Sequence, residues 1–133
     1  MTTAQRFEWR VRVYYEDTDA GGIVYYANYL KFMERARTEW LRQLGIDVGV
    51  LARENGSGFV VRSARLEFMK PARLSDELTV SVELTEKRQA SVTLFQQVSK
   101  DDEILCAAGI RLAYVDLEAN KPQALPEFIK QEI

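Results

Sequence analysis

A chain of 133 residues, 47% hydrophobic and 11% aromatic, fits one domain with a real core. Its formal net charge of -2 and pI near 5.3 give no case for nucleic acid. No apolar run reaches the length of a membrane span, MTTAQRFEWR lacks the apolar stretch of a signal peptide, and the lone Cys106 permits neither an internal disulfide nor a thiolate metal cluster, so a cytoplasmic protein is expected.

Phe7, Trp9, Val11, Val13 and Tyr15 alternate with charged or polar neighbours, the period of a half-buried strand. Residues 17–28 are rich in Asp and Gly and read as a loop. From Tyr29 the period lengthens. Leu30, Met33, Ala36, Trp40, Leu41 and Leu44 fall on one helical face, with Lys31, Glu34, Arg35, Thr38, Glu39 and Arg42 opposite. Asn28 is the expected N-cap and Gly45 the expected C-cap of a helix over 29–44. After a loop at 46–58, strand patterns take over. Ala64, Leu66 and Phe68 point inward on the first, which Pro71 closes. Leu78, Val80, Val82 and Leu84 mark the second inner face. Val92, Leu94, Gln96 and Val98 mark the third. Ile104, Cys106, Ala108, Ile110, Leu112 and Tyr114 mark the fourth. Residues 86–89 and 100–102 suit hairpin turns, and a short helical turn follows Pro126. Consecutive strands with short links run antiparallel. One helix on one face of such a sheet predicts a single two-layer α+β domain over 1–133.

The chain contains no histidine. Ser-His-Asp and Cys-His nucleophiles are therefore excluded, and so are most catalytic zinc sites, which rely on His or Cys. Ser57 in NGSGF lacks the G-x-S-x-G frame and a base, and reads as loop. Acid–base chemistry is left to Asp, Glu, Tyr, Lys, water or the backbone. The segment YYEDTDAGGIVYYANYLKFMERARTEW offers Asp17 and Asp19 on an acidic turn, then Gly21-Gly22, then Tyr25-Tyr26 just before the helix. Its arrangement of strand, acidic turn, helix and meander resembles the hotdog-fold acyl-CoA thioesterases over nearly the whole chain. Two branches fit. One is the Tol–Pal-associated YbgC type, which VRVYYEDTDAGGIVYYANYLKFMERARTEWLR resembles closely. The other is 4-hydroxybenzoyl-CoA thioesterase, which shares D-x-D-x-x-G-I-V-x-Y. Position 26 departs from the first branch, which has His there, and agrees with the second, which has Tyr.

The resemblance implies a sheet of five or more strands wrapped around the helix, and sheets joined between chains in a homodimer or homotetramer. It implies hydrolysis of an acyl-CoA to free acid and coenzyme A, with no cofactor beyond the coenzyme A of the substrate. Acyl carrier protein is a second candidate carrier. The family's catalytic carboxylate falls on Asp19, and the N–H that polarises the thioester carbonyl falls on the backbone of Tyr26. Of the basic cluster in the hydroxybenzoyl branch, only Arg88 is carried over, since Gln89 and Ala90 depart. Gly22 is expected where the acyl chain passes close to the backbone.

Each residue also has a plain structural reading. An Asx turn explains Asp17 and is kept for it, while the family frame favours catalysis for Asp19. Gly21-Gly22 suits a turn with positive φ, and the Tyr25 ring suits core packing. Arg62, Arg65, Lys70 and Arg73 read as a solvated basic face, and Cys106 as a small buried hydrophobe. Two other functions compete. A non-catalytic acyl-CoA or acyl-carrier-protein binder of the same fold would turn over no thioester. A hotdog dehydratase would need a histidine that this chain lacks.

Overall fold

The computed structural model describes residues 6–133. In β1 (Arg6–Arg12) Phe7, Trp9 and Val11 are half-buried, and the residues between them face solvent. The alternation ends sooner than expected. Tyr15, read as inward, opens a 3-10 turn (Tyr15–Asp17) and is 81% exposed. Asp17 explains the change: its carboxylate accepts the Tyr14 N–H at 2.9 Å and bends the chain out of the strand.

Helix α1 (Asn28–Gln43) follows the lengthened period, but its buried stripe is rotated from the expected one. Tyr29, Phe32, Met33, Ala36, Trp40 and Leu41 are buried. Leu30, expected in the core, is 41% exposed. The stripe is anchored on the Tyr29 and Phe32 rings, and Leu30 lies about 100° around the helix from Tyr29. Asn28 is the first helical residue rather than the cap, and its side chain turns to Asp17 instead of the helix backbone. Gly45 does close the helix, at φ 86°, with its N–H on the Arg42 carbonyl. The expected loop after it contains α2 (Val48–Val50), capped by Asp47, and a wider turn at Leu51–Asn55. Both are too short to display a helical period in sequence.

The remaining strands are β2 (Ser57–Phe68), β3 (Glu77–Lys87), β4 (Ser91–Lys100), β5 (Glu103–Asp116) and the short β6 (Lys121–Pro122). A four-residue α3 (Glu127–Lys130) ends the chain as expected. The sheet is antiparallel with order β1-β3-β4-β5-β2, and β6 joins β5. β3, β4 and β5 form the expected meander. β2 and β3 do not pair, although they are consecutive. β2 lies on β5 at the far edge, and β1 takes the place beside β3. The link between them, 69–76, is held against the loop before α1. The Val24 N–H donates to Ala72 O at 2.9 Å, and the Ala72 N–H donates to the Tyr29 hydroxyl at 3.0 Å.

α1 packs mainly on β3, β1 and β4, over Leu78, Val80, Val82, Leu94 and Val98, all fully buried. This is the α+β hotdog arrangement. Ala64, Leu66 and Phe68 do register with the buried Ile110, Ala108 and Cys106. Yet Ala64 is exposed and Phe68 is 50% exposed, because α1 packs mainly on the other strands. Ile104, also expected inward, faces solvent. A bulge pairs Val98 with Cys106 and Ser99 with Ile104, so the skipped Leu105 turns in instead.

Candidate active site

The two aspartates of the acidic turn have different surroundings. Asp17 is buried. Its Oδ2 accepts the Tyr14 N–H and its Oδ1 accepts the Asn28 side-chain N–H, both at 2.9 Å. Its carbonyl receives the Tyr25 N–H at 3.4 Å. Asp19 is exposed. Its Oδ1 accepts the Gly21 N–H at 2.8 Å and, more weakly, the Ile23 N–H at 3.4 Å. Its Oδ2 has no hydrogen-bond partner among the described residues. The turn closes through the Gly22 N–H on Asp19 O, with Gly22 at φ 78°, a conformation that favours glycine.

Tyr26 stands in the turn that leads into α1. The Asn28 N–H bonds to Tyr25 O at 2.9 Å, and the Tyr29 N–H to Tyr26 O at 3.3 Å. The Tyr26 N–H itself has no acceptor among the described residues, as expected of the first N–H groups at a helix start. Asp19 and Tyr26 both line an open groove of about 540 Å³. Its other walls are largely apolar: Tyr29, Phe68, Met69 and Pro71. The Tyr29 and Phe68 rings lie 5.6 Å apart, and the Tyr26 ring meets Phe68 edge-on at 6.3 Å.

Residues 13–133 match the thioesterase-like superfamily. The chain belongs to that family. It is 45% identical over 127 residues to the acyl-CoA thioester hydrolase YbgC of Escherichia coli, covering 95% of this chain and 94% of that protein. It is 43% identical over 124 residues to the acyl-CoA thioesterase YbgC of Haemophilus influenzae, covering 93% of this chain and 91% of that protein. Among solved structures, a probable thioesterase from Bartonella henselae superposes with a TM-score of 0.88 at 34% identity, over 92% of this chain and 100% of that one.

Within this thioesterase-like domain the expected site residues do not all meet. Asp19 and Tyr26 line the groove, whereas Gly22 closes the Asp19 turn without being among the lining residues. Arg88 lies in the β3–β4 turn and is not among the residues lining the groove. Its guanidinium pairs with Glu86 at 3.0 Å, both side chains about half exposed. The facing wall of Phe68, Met69 and Pro71 was not foreseen. These residues read only as a strand end and a breaker, and nothing local couples them to Tyr26. Tyr29 was missed too. Burial raises its phenol pKa, partly offset by the Ala72 N–H, so it stays protonated and is no base. Among the described residues no cluster of three or more His, Cys, Asp or Glu could hold a metal ion. The groove is therefore lined by the exposed Asp19, by Tyr26, whose main-chain N–H is free among the described residues, and by a largely apolar bed.

Proposed function

We propose that this thioester hydrolase cleaves acyl-coenzyme A, with Asp19 as nucleophile or general base and the Tyr26 main-chain N–H as oxyanion donor. One observation carries the reading: Asp19, with one carboxylate oxygen unpaired, and Tyr26, whose N–H has no acceptor among the described residues, line the same largely apolar groove. As a base, Asp19 takes a proton from water, and the hydroxide attacks the thioester carbon. As a nucleophile, Asp19 attacks directly, and water then splits the mixed anhydride. Either way the carbonyl oxygen gains charge, and the C–S bond breaks to release the thiolate, which takes up a proton. One oxyanion donor typically lowers such a barrier by ~3 kcal/mol, and the dipole of the 16-residue α1 acts in the same direction. The apolar walls suit an apolar acyl group.

The test is a panel of coenzyme A and carrier-protein thioesters, followed with a thiol-trapping dye, on the wild type and Asp19→Asn. Binding without release of thiol would favour the non-catalytic reading.

Arg88 is proposed to meet the coenzyme phosphates. The same turn borders a small cavity of about 130 Å³ where Arg62 and Arg111 stand beside Ser91, adding positive charge. Arg88→Ala should raise KM more than it lowers kcat, and an unchanged KM would remove Arg88 from the site.

The proposed assembly is a homodimer or homotetramer. β2 is a 12-residue edge strand, and Val61, Phe68 and the adjoining Met69 are about half exposed. Its free N–H and C=O groups invite pairing with a second copy. A monomeric mass by light scattering at micromolar concentration would contradict this.

A further inference from the structure

We propose that the buried Asp17–Asn28 hydrogen bond is a positioning brace that sets the Asp19 carboxylate and the Tyr26 N–H relative to each other. The inference rests on the proposed roles of those two groups and adds two residues that touch neither substrate nor reacting atoms.

The connectivity is specific. Asp17 lies two residues before Asp19, and Asn28 two residues after Tyr26. A 2.9 Å bond from Asn28 Nδ2 to Asp17 Oδ1 therefore joins the acidic turn to the first residue of α1. Asp17 Oδ2 holds the Tyr14 N–H at 2.9 Å, which ties the same carboxylate to the chain leaving β1. Two further contacts run along the brace. The Tyr25 N–H reaches Asp17 O at 3.4 Å, and Thr18 bridges to Val24. The segment carrying both reacting groups is thus closed at its ends by one buried side-chain pair.

The pair also carries an unexplained atom. Asn28 is 1% exposed, yet its Oδ1 has no hydrogen-bond partner among the described residues. A buried acceptor left unpaired costs about 1–3 kcal/mol, so packing stability alone does not explain an amide at this position. A brace does: the amide supplies the one N–H donor that Asp17 Oδ1 needs. A misplacement of ~1 Å between reacting groups can cost about 10²-fold in rate, which makes such a brace consequential.

The test uses the full chain and six variants. Asn28→Asp sets a carboxylate against Asp17. It should lower kcat by about 10²-fold, the cost of a ~1 Å misplacement, with KM little changed. The reversed pair, Asp17→Asn with Asn28→Asp, restores one amide–carboxylate bond and should recover most of the lost kcat. Asp17→Asn alone should be mild, because Asn28 can flip and accept through its orphan Oδ1. Asn28→Ala removes the donor without adding charge and should lower kcat even if Asn28→Asp fails to fold. A second reading comes from the Asp19→Asn background, where Asn28→Ala should lower kcat no further. A purely structural pair would lower melting temperature and leave kcat of the folded protein untouched. A folded Asn28→Ala with wild-type kcat overturns the brace, and so does a folded reversed pair that recovers nothing. If Asp19→Asn itself kept full activity, the proposed reaction would fail instead, a separate outcome.

Discussion

Polar atoms beneath the middle of α1 and polar atoms at its start are handled in different ways. Under the middle, Gln96 has no exposure, and each end of its amide is paired. Its Nε2 donates to Met33 O at 3.0 Å and Ser81 O at 3.3 Å, while its Oε1 accepts from Arg37 at 3.2 Å. The neighbouring Ser81 Oγ accepts the Gln97 N–H at 3.0 Å. This is what folding demands, since a buried polar group left unpaired costs about 1–3 kcal/mol. Ahead of α1, Asp19 Oδ2 and the Tyr26 N–H have no partner among the described residues, and the two residues line an open groove. Asp17 serves as the internal control. It lies two residues from Asp19, yet it is buried and both of its oxygens are paired. An acidic residue is thus a weak mark of a site, and an unpaired one beside an unpaired donor is a stronger mark.

That contrast is open to direct attack. Asp19→Asn keeps shape and hydrogen bonding but removes the anion. It should cut kcat by about 10²–10⁴-fold with an unchanged melting temperature, whereas Tyr26→Phe, which spares the main-chain donor, should be mild. Steady-state kinetics with a thermal melt decides this. A folded Tyr26→Phe without activity would move a phenol mechanism to the front.

Gln96→Ala should do the reverse. It takes from the Arg37 guanidinium its Gln96 acceptor and leaves space beneath α1, so denaturant unfolding should show a loss of about 2–3 kcal/mol while kcat of the folded protein holds. A collapse of kcat without loss of stability would erase the distinction between the two regions.

The smallest effect concerns Cys106, which lies in the fully buried core and whose thiol burial pushes up to about 11. An unfolded thiol ionises near 9.0, the folded one only near 11. Its contribution to stability is therefore full below about pH 9 and is lost as pH rises toward 11. Unfolding free energies of the wild type should fall across that window more steeply than those of Cys106→Ala. Parallel curves would show that the thiol ionises freely in the folded state.

Much of the fold follows from local periodicity, and local periodicity is what a sequence displays. The change from period two to period 3.6 near residue 28 placed β1 and α1, and alternation placed β3, β4 and β5 nearly to their ends. Errors came where a neighbour distant in sequence decides. The bulge that turns Ile104 outward is a matter of pairing between β4 and β5. The exposure of Ala64 and Phe68 depends on which strands α1 covers. The seat of β2 at the far edge, beside β5 rather than β3, is set by long-range pairing that no local pattern records.

The candidate site divides in the same way. The sequence by itself determined the α+β class, the acidic turn ahead of a helix and the lack of any imidazole base. Only the tertiary structure decided that Phe68, Met69 and Pro71 face Tyr26 across a groove, and that Asn28 turns from its helix to hold Asp17. Chain order dictates which residue types are near each other along a turn. Which polar atoms are paired, and which stay free, depends on groups brought together from separate elements of the fold.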